Sequence, residues 1–437
     1  MQRLLYSFVF LFVFLFLDAK NIDVSEFTLD NGLHVYAYKD TTKPIVSINV
    51  TYKVGSSYET PDKTGFAHFF EHLMFEGSAN IKRGEFMSLV QSAGGNCNAE
   101  TTEDYTSYYM TLPSHQFELG LWLESERMLH LAIDSESVET QRAVIKEERK
   151  LKFENRPYSS FIQELRKRTF KGSFYEWIPI GEVQYIDEAK LSEFISFYKT
   201  YYVPSNAVLV IAGDIDLSKI KSLVDKYFAG ISGGNTTLSV TIPNKQFILR
   251  STEIDTVYDN ISLPAVFFGF IAPSIISSDF VIFYCIDKYL SAGENSQLYY
   301  SLVNQQQIAL SSSTIYSDLK YSGLSIHYAL GNTDADIYKL HQALEDELKL
   351  LANTGISEVN LQKVKNIIET SYKRDFQTLE SIAYQLAQGF IYYSNPYGYI
   401  NLMNSVDNVS SEDIMRVASQ YLSANKVVLY YLPKQIN

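Results

Sequence analysis

Cysteine is nearly absent: Cys97 and Cys285 are the only two in 437 residues. That count excludes a cysteine-based zinc site. With the pair expected in different domains, both read as free thiols rather than a staple. Histidine is scarce too, at seven, so any close histidine pair carries information. The formal net charge is −13, yet no block of like charges occurs. That balance argues against nucleic acid or an anionic membrane surface as partner and mildly favours basic substrates. A long hydrophobic run is also missing. The apolar stretch after Arg3, Leu4 to Leu17, has 14 residues; as a helix it spans about 21 Å, against about 30 Å for a bilayer core. Followed by Asp18-Ala19-Lys20, it reads as a secretory signal over residues 1–19, cleaved near Ala19. The protein is then expected in the periplasm or outside the cell, with no stable membrane span. Leu17 fits the small-residue cleavage rule poorly, and an uncut segment would leave the chain membrane-anchored.

What is abundant is apolar and aromatic. Hydrophobic residues make up 46%, with 33 Tyr and 27 Phe, enough for two domains and suited to β-rich packing. The most informative stretch is Gly65-Phe66-Ala67-His68-Phe69-Phe70-Glu71-His72-Leu73-Met74-Phe75-Glu76-Gly77. As a helix it places His68 and His72 one turn apart, with Glu71 on the same face. Two imidazoles at that spacing can share one Zn²⁺, and the carboxylate beside them can take a proton from a metal-bound water. This is the H-x-x-E-H form of the zinc-protease helix. The plainer reading is two core histidines and a solvated glutamate.

In chain order, Phe27 to Tyr38 reads as a hairpin turning at Asp30-Asn31-Gly32, and Ile45 to Tyr52 as a strand. Ser92 to Thr102 reads as a turn-rich lead into a strand from Tyr105 to Leu112, and Phe117 to Leu131 has helical spacing. Val138 to Lys152 is again helical, with Val144, Ile145 and Leu151 expected on its buried face. Glu148 shares that face and needs a partner there: a salt bridge to Arg or Lys, or the third metal bond that His68 and His72 lack. Glu147, about 100° round, is the solvated choice. Helix, turn and buried strand follow from Phe194 to Ala212. Gly230 to Gly234 with Asn235-Thr236-Thr237 is the best linker. It divides an N-terminal domain, residues 20–232, from a C-terminal one, residues 233–437. Further strands are expected near Ala265–Ala272 and Gly323–Leu330, and helices near Asp336–Thr354, Ser357–Thr378 and Ser381–Ser394. A faint echo at an offset of 220 residues aligns Asp187 with Asp407, Tyr201 with Tyr421 and Leu209 with Leu429, suggesting two copies of one α+β unit. The second copy, which holds His327 and His341, lacks the H-x-x-E-H motif.

With these pieces the chain resembles the pitrilysin family, which includes insulin-degrading enzyme and mitochondrial processing peptidase. The likeness runs over about residues 25–435. It rests on the motif helix, on Gly94-Gly95-Asn96-Cys97-Asn98-Ala99-Glu100-Thr101, on Val144 to Glu148, with Glu148 lying 76 positions beyond His72, and on Phe174 to Gly181 and Tyr201 to Leu209. The resemblance implies an α+β fold of two homologous domains, each an antiparallel sheet packed with helices, enclosing part of a peptide chamber. It implies one Zn²⁺ per chain on His68, His72 and Glu148, Glu71 as general base, peptide substrates, and a substrate-pairing edge strand at Asn98-Ala99. Two departures stand out. Gln141 occupies a position where relatives carry a supporting glutamate, and the amide is expected to weaken zinc binding or slow turnover. In the second half, Val303 and Leu310 fall where relatives carry an Arg and a Tyr that grip substrate and stabilise an oxyanion, and neither side chain can donate a hydrogen bond. Tyr299 and Tyr316 are the nearby stand-ins. The chain therefore resembles the zinc-carrying half of a bacterial heterodimer whose zinc-less partner supplies the Arg/Tyr pair. The implied activity is a zinc metalloendopeptidase; the alternative is a non-catalytic or weakly catalytic structural subunit.

Overall fold

The computed structural model describes residues 22–234 and 247–434; the signal-like segment and Asn235-Thr236-Thr237 lie outside them. The fold is α+β, built on two sheets. The first contains β1 (Val24–Thr28), β2 (His34–Lys39), β3 (Ile45–Tyr52), β4 (Asn96–Thr101), β5 (Thr106–Pro113) and β6 (Ala207–Gly213), in the order β1-β2-β6-β3-β5-β4. The second contains β7 (Glu253–Asp259), β8 (Ala265–Ala272), β9 (Ala309–Ser317), β10 (Gly323–Gly331) and β11 (Val427–Pro433), in the order β7-β11-β8-β10-β9. Each is antiparallel apart from one parallel pair, β2 with β6 and β7 with β11. The faint repeat is therefore real in topology. Leu209 and Leu429 occupy matching central strands, each flanked by a parallel neighbour on one side and an antiparallel one on the other.

The helices used below are α1 (Phe66–Leu73), α2 (Phe117–Leu129), α3 (Ser135–Arg149), α4 (Phe161–Thr169), α5 (Leu191–Tyr201) and α6 (Leu379–Tyr393). The hairpin turning at Asp30-Asn31-Gly32 forms as expected, with Gly32 at φ 88°. Two expectations need correction. Asn96–Thr101 is itself a strand, paired along its length with β5, as the resemblance implies for Asn98-Ala99; Asn96 and Asn98, directly after Gly94-Gly95, mimic a turn because an edge strand has only one neighbour to satisfy. On α3, Ile145 is buried, but Val144 and Leu151 are exposed. The helix passes into a π-turn at Lys150–Glu154, which rotates Leu151 away from the face that strict 3.6-residue spacing assigns it.

The two halves interlock. Helix α4 and the following Phe170, Phe174 and Trp177 pack with Leu324, Ile326, Val427 and Leu429 of the second sheet. In return, α6 packs Leu386 and Phe390 with Tyr36, Val208 and Val210 of the first. Asp104 joins them by accepting from the Tyr175 hydroxyl (2.7 Å) and the Lys320 backbone N–H (2.8 Å). Tyr105 and Tyr384 meet hydroxyl to hydroxyl at 2.6 Å.

Candidate metal centre

Eight residues make too short a helix to persist in water, so α1 is held by its surroundings. Phe66, Phe69, Phe70 and Leu73 are buried, and Phe66, Phe69 and Phe70 all meet the Phe194 ring of α5. At about 1.5–3 kcal/mol per buried side chain, the four contribute roughly 6–12 kcal/mol as an upper estimate. The N-terminus has no side-chain cap of its own; Gly65, at φ 95°, turns the chain in. Instead the buried carboxylate of Glu59 accepts from the Gly65 N–H (2.9 Å) and the Ala67 N–H (2.8 Å). Trp177 Nε1 donates to the same carboxylate at 3.1 Å. Burial pushes the Glu59 pKa up to about 8 against the pull of these donors. Seven positions before the first residue of the helix and outside any helical repeat, Glu59 gave no signal in the sequence.

The apolar face of α1 leaves His68 and His72 on the side that faces α3. Their Nε2 atoms lie 3.7 and 3.2 Å from Glu148 Oε2. Among the described residues, His68, His72 and Glu148 are the group whose ligand atoms all fall within 4.8 Å of one another. Two ligands each about 2.0–2.1 Å from a tetrahedral zinc would stand roughly 3.3 Å apart, so the two separations bracket that spacing and the donor set fits the ion. The other Glu148 oxygen accepts from Lys152 Nζ at 2.6 Å. The two possibilities for Glu148, salt bridge and metal ligand, thus use different oxygens. The histidines, then Lys152, hold its carboxyl well below the usual carboxylate range despite burial. Glu147 is solvated, as expected.

Glu71 is half-buried on the same helix face. It lies near enough to Glu100 that its charge adds to burial in raising the Glu100 pKa, against hydrogen bonds from Tyr384 and Tyr105. Asn98 is exposed and Ala99 buried on β4, which ends the sheet and has its outer edge unpaired among the described strands. Beside that strand a cleft of about 310 Å³ is lined by Glu100, Tyr109, Asp375, Glu380 and Tyr384. Beneath the site, Arg127 is fully buried, pairs with Glu124, and stacks among Phe75, Phe86 and Tyr108. This ion pair was also missed, since a Glu and Arg three apart in a helix ordinarily face solvent.

The Gln141 amide donates to Glu76 rather than to a member of the His68, His72 and Glu148 group. In the second half, Val303 is partly buried against the core and Leu310 is 56% exposed. Tyr316 gives its hydroxyl to the Pro273 carbonyl at 2.6 Å, so Tyr299 is the stand-in left uncommitted. No described helix is long and apolar enough to cross a membrane.

Residues 34–175 match the family described as insulinase (peptidase family M16), and residues 189–368 match the peptidase M16 inactive domain. Zinc protease PqqE of Helicobacter pylori is 26% identical over 407 residues, covering 93% of this chain and 91% of that protein. A probable mitochondrial-processing peptidase subunit beta of Arabidopsis thaliana is 22% identical over 403 residues, covering 90% and 75%. The crystal structure of a protease from Helicobacter pylori superposes with a TM-score of 0.87 at 24% identity, covering 94% of this chain and all of that one.

Proposed function

We propose a function from one established premise: this chain belongs to the insulinase (M16) peptidase family. It acts as a zinc-dependent endopeptidase on peptides or unfolded protein segments. The observation that carries this reading is the convergence of two helices, which brings Glu148 within 3.7 Å of both histidines and leaves Glu71 beside them.

His68, His72 and Glu148 would hold the ion, two neutral nitrogens and one carboxylate. Bound zinc supplies a Lewis acid that polarises the scissile carbonyl and acidifies water. Glu71, half-buried beside the two histidines, would serve as the general base toward the attacking water and return the proton to the leaving amine. Substrate backbone adds to the free edge of β4 at Asn98-Ala99, where main-chain hydrogen bonds set its register. Side chains on one face of the added strand then point toward the acidic cleft, which favours Lys or Arg near the scissile bond.

At the two positions where relatives carry the Arg and Tyr, Val303 and Leu310 cannot stabilise an oxyanion. A homologous chain without zinc supplies that Arg/Tyr pair, and the relative named as a subunit fits such an assembly. The second reading, a structural subunit of low activity, draws on the same two residues and on the inactive-domain match. Residues 1–19 act as an export signal, and the boundary between the functional halves lies at 232/233.

The test is cleavage of a quenched peptide library by residues 20–437 loaded with zinc, alone and after co-expression with zinc-less homologues. A chelator and Glu71→Gln are the controls. Expected is cleavage in the mixture that falls by at least about a hundredfold in Glu71→Gln, with zinc content by mass spectrometry unchanged. Zinc-loaded protein inactive in every mixture would favour the structural subunit.

A further inference from the structure

We propose that Gln141, Glu76 and Arg83 form a positioning relay behind the metal centre, and that the relay requires an amide at 141. The inference rests on the zinc reading above but concerns residues outside the ligand set. It also reverses the sign expected from the sequence, where the amide at 141 counted as a loss.

Helices α1 and α3 face each other in opposite directions. Glu148 sits against His68 and His72, and Gln141, two turns earlier on α3, reaches Glu76, one turn past His72. Seven residues of helix span about 10.5 Å, so the pair of helices is pinned at two points that far apart, one of them the candidate metal centre. A carboxylate only accepts, so the Gln141 amide nitrogen must face Glu76, and Gln141 Oε1 is left buried without a partner.

Glu76 is 10% exposed, and its second oxygen meets Arg83 Nε at 2.6 Å. Arg83 continues to Glu136 Oε1 at 2.6 Å, in the first turn of α3, with Asp134 at 3.8 Å. The chain of contacts closes on itself: the end of α1, Glu76, Arg83, the start of α3, and back through Gln141. One guanidinium already faces three carboxylates here. A glutamate at 141 would place a fourth within hydrogen-bond distance of the buried Glu76. Two such carboxylates cannot both stay ionised in contact, so one would swing out or take up a proton, and the helices carrying the ligands would shift. Gln141 supplies the hydrogen bond without the charge.

The test is zinc affinity, measured by competition with a chromophoric chelator, for wild type, Gln141→Glu, Glu76→Gln and the double variant in which acid and amide change places. Each single change should weaken zinc binding about 10–100-fold, and the exchange should return it to within about threefold of wild type. Gln141→Met, which removes the donor without adding charge, should weaken zinc less than Gln141→Glu; it also keeps the test alive if Gln141→Glu does not fold. Unchanged or tighter zinc binding in Gln141→Glu, or an exchange variant no better than the worse single, would overturn the relay. Wild type that binds no zinc is a different failure, that of the metal centre itself, and it takes the relay with it.

Discussion

Removing Glu59 should loosen the helix that carries both histidines. Glu59→Ala deletes an acceptor shared by the Gly65 and Ala67 N–H groups and by Trp177 Nε1, all at 2.8–3.1 Å. A buried donor left without a partner costs about 1–3 kcal/mol. Trp177 Nε1 keeps the Ser56 carbonyl at 3.0 Å, so two donors are orphaned; partly relieved by water entering the space the side chain vacates, they come to about 2–4 kcal/mol. Glu59→Gln keeps one acceptor oxygen and should lose about half of that. The assay is urea unfolding followed by tryptophan fluorescence, which is local here. The chain has two tryptophans, Trp122 packed on the first core and Trp177 bonded to Glu59 itself. Asp62→Ala is the control, since that exposed carboxylate accepts from Thr60 and does not cap α1. Zinc affinity should fall with stability in Glu59→Ala, because a frayed α1 no longer presents His68 and His72 together. A loss below about 1 kcal/mol with unchanged zinc affinity would refute the argument, showing that aromatic packing alone fixes the helix.

Two further outcomes follow from the geometry. Burial holds the Asp104 pKa at about 7, above its ordinary 3.8, against its hydrogen bonds from Tyr175 and Lys320. A folded-state value above the unfolded one gives a contribution present in full below about pH 4 and lost as pH rises through about 7. The span corresponds to about 4 kcal/mol at most. Wild type should therefore lose stability relative to Asp104→Asn between pH 4 and 8 by urea unfolding, and parallel curves would contradict the assignment. In the acidic cleft, Glu100→Gln with Glu380→Gln should lower kcat/KM for peptides with Lys or Arg near the cleaved bond by about 5–50-fold, while neutral peptides change little. An equal loss for both classes would mean that the cleft does not read substrate charge.

Much of the fold was legible because it is written locally. The hairpin at Asp30 to Gly32, the strand at Ile45 to Tyr52 and the helical spacing around His68 each reflect one element's own pattern, and all three elements form as read, although Ser47, Asn49 and Thr51 of the strand are buried as well. The second topology echoed the first at Asp407, Tyr421 and Leu429 because the same strand and helix recur. Legibility failed where a neighbour decides. Asn96–Thr101 looks like a turn until β5 pairs with it. Val144 and Leu151 look buried until a π-turn and an uncovered helix face leave them in solvent.

The sequence by itself determined the residue types of the candidate centre. Two imidazoles one turn apart, with a carboxylate between them, depend only on helical geometry. It also marked Glu148, though for a partly mistaken reason, since two of the three apolar residues thought to bury it are exposed. Tertiary structure alone decided what lies behind and beneath the site. Glu59 caps α1 from outside the helix, Arg127 and Glu124 pair under it, and Glu76 makes an amide at 141 fit. Each is a polar group whose meaning depends on which other polar group faces it after burial, and no periodicity along the chain encodes that partner.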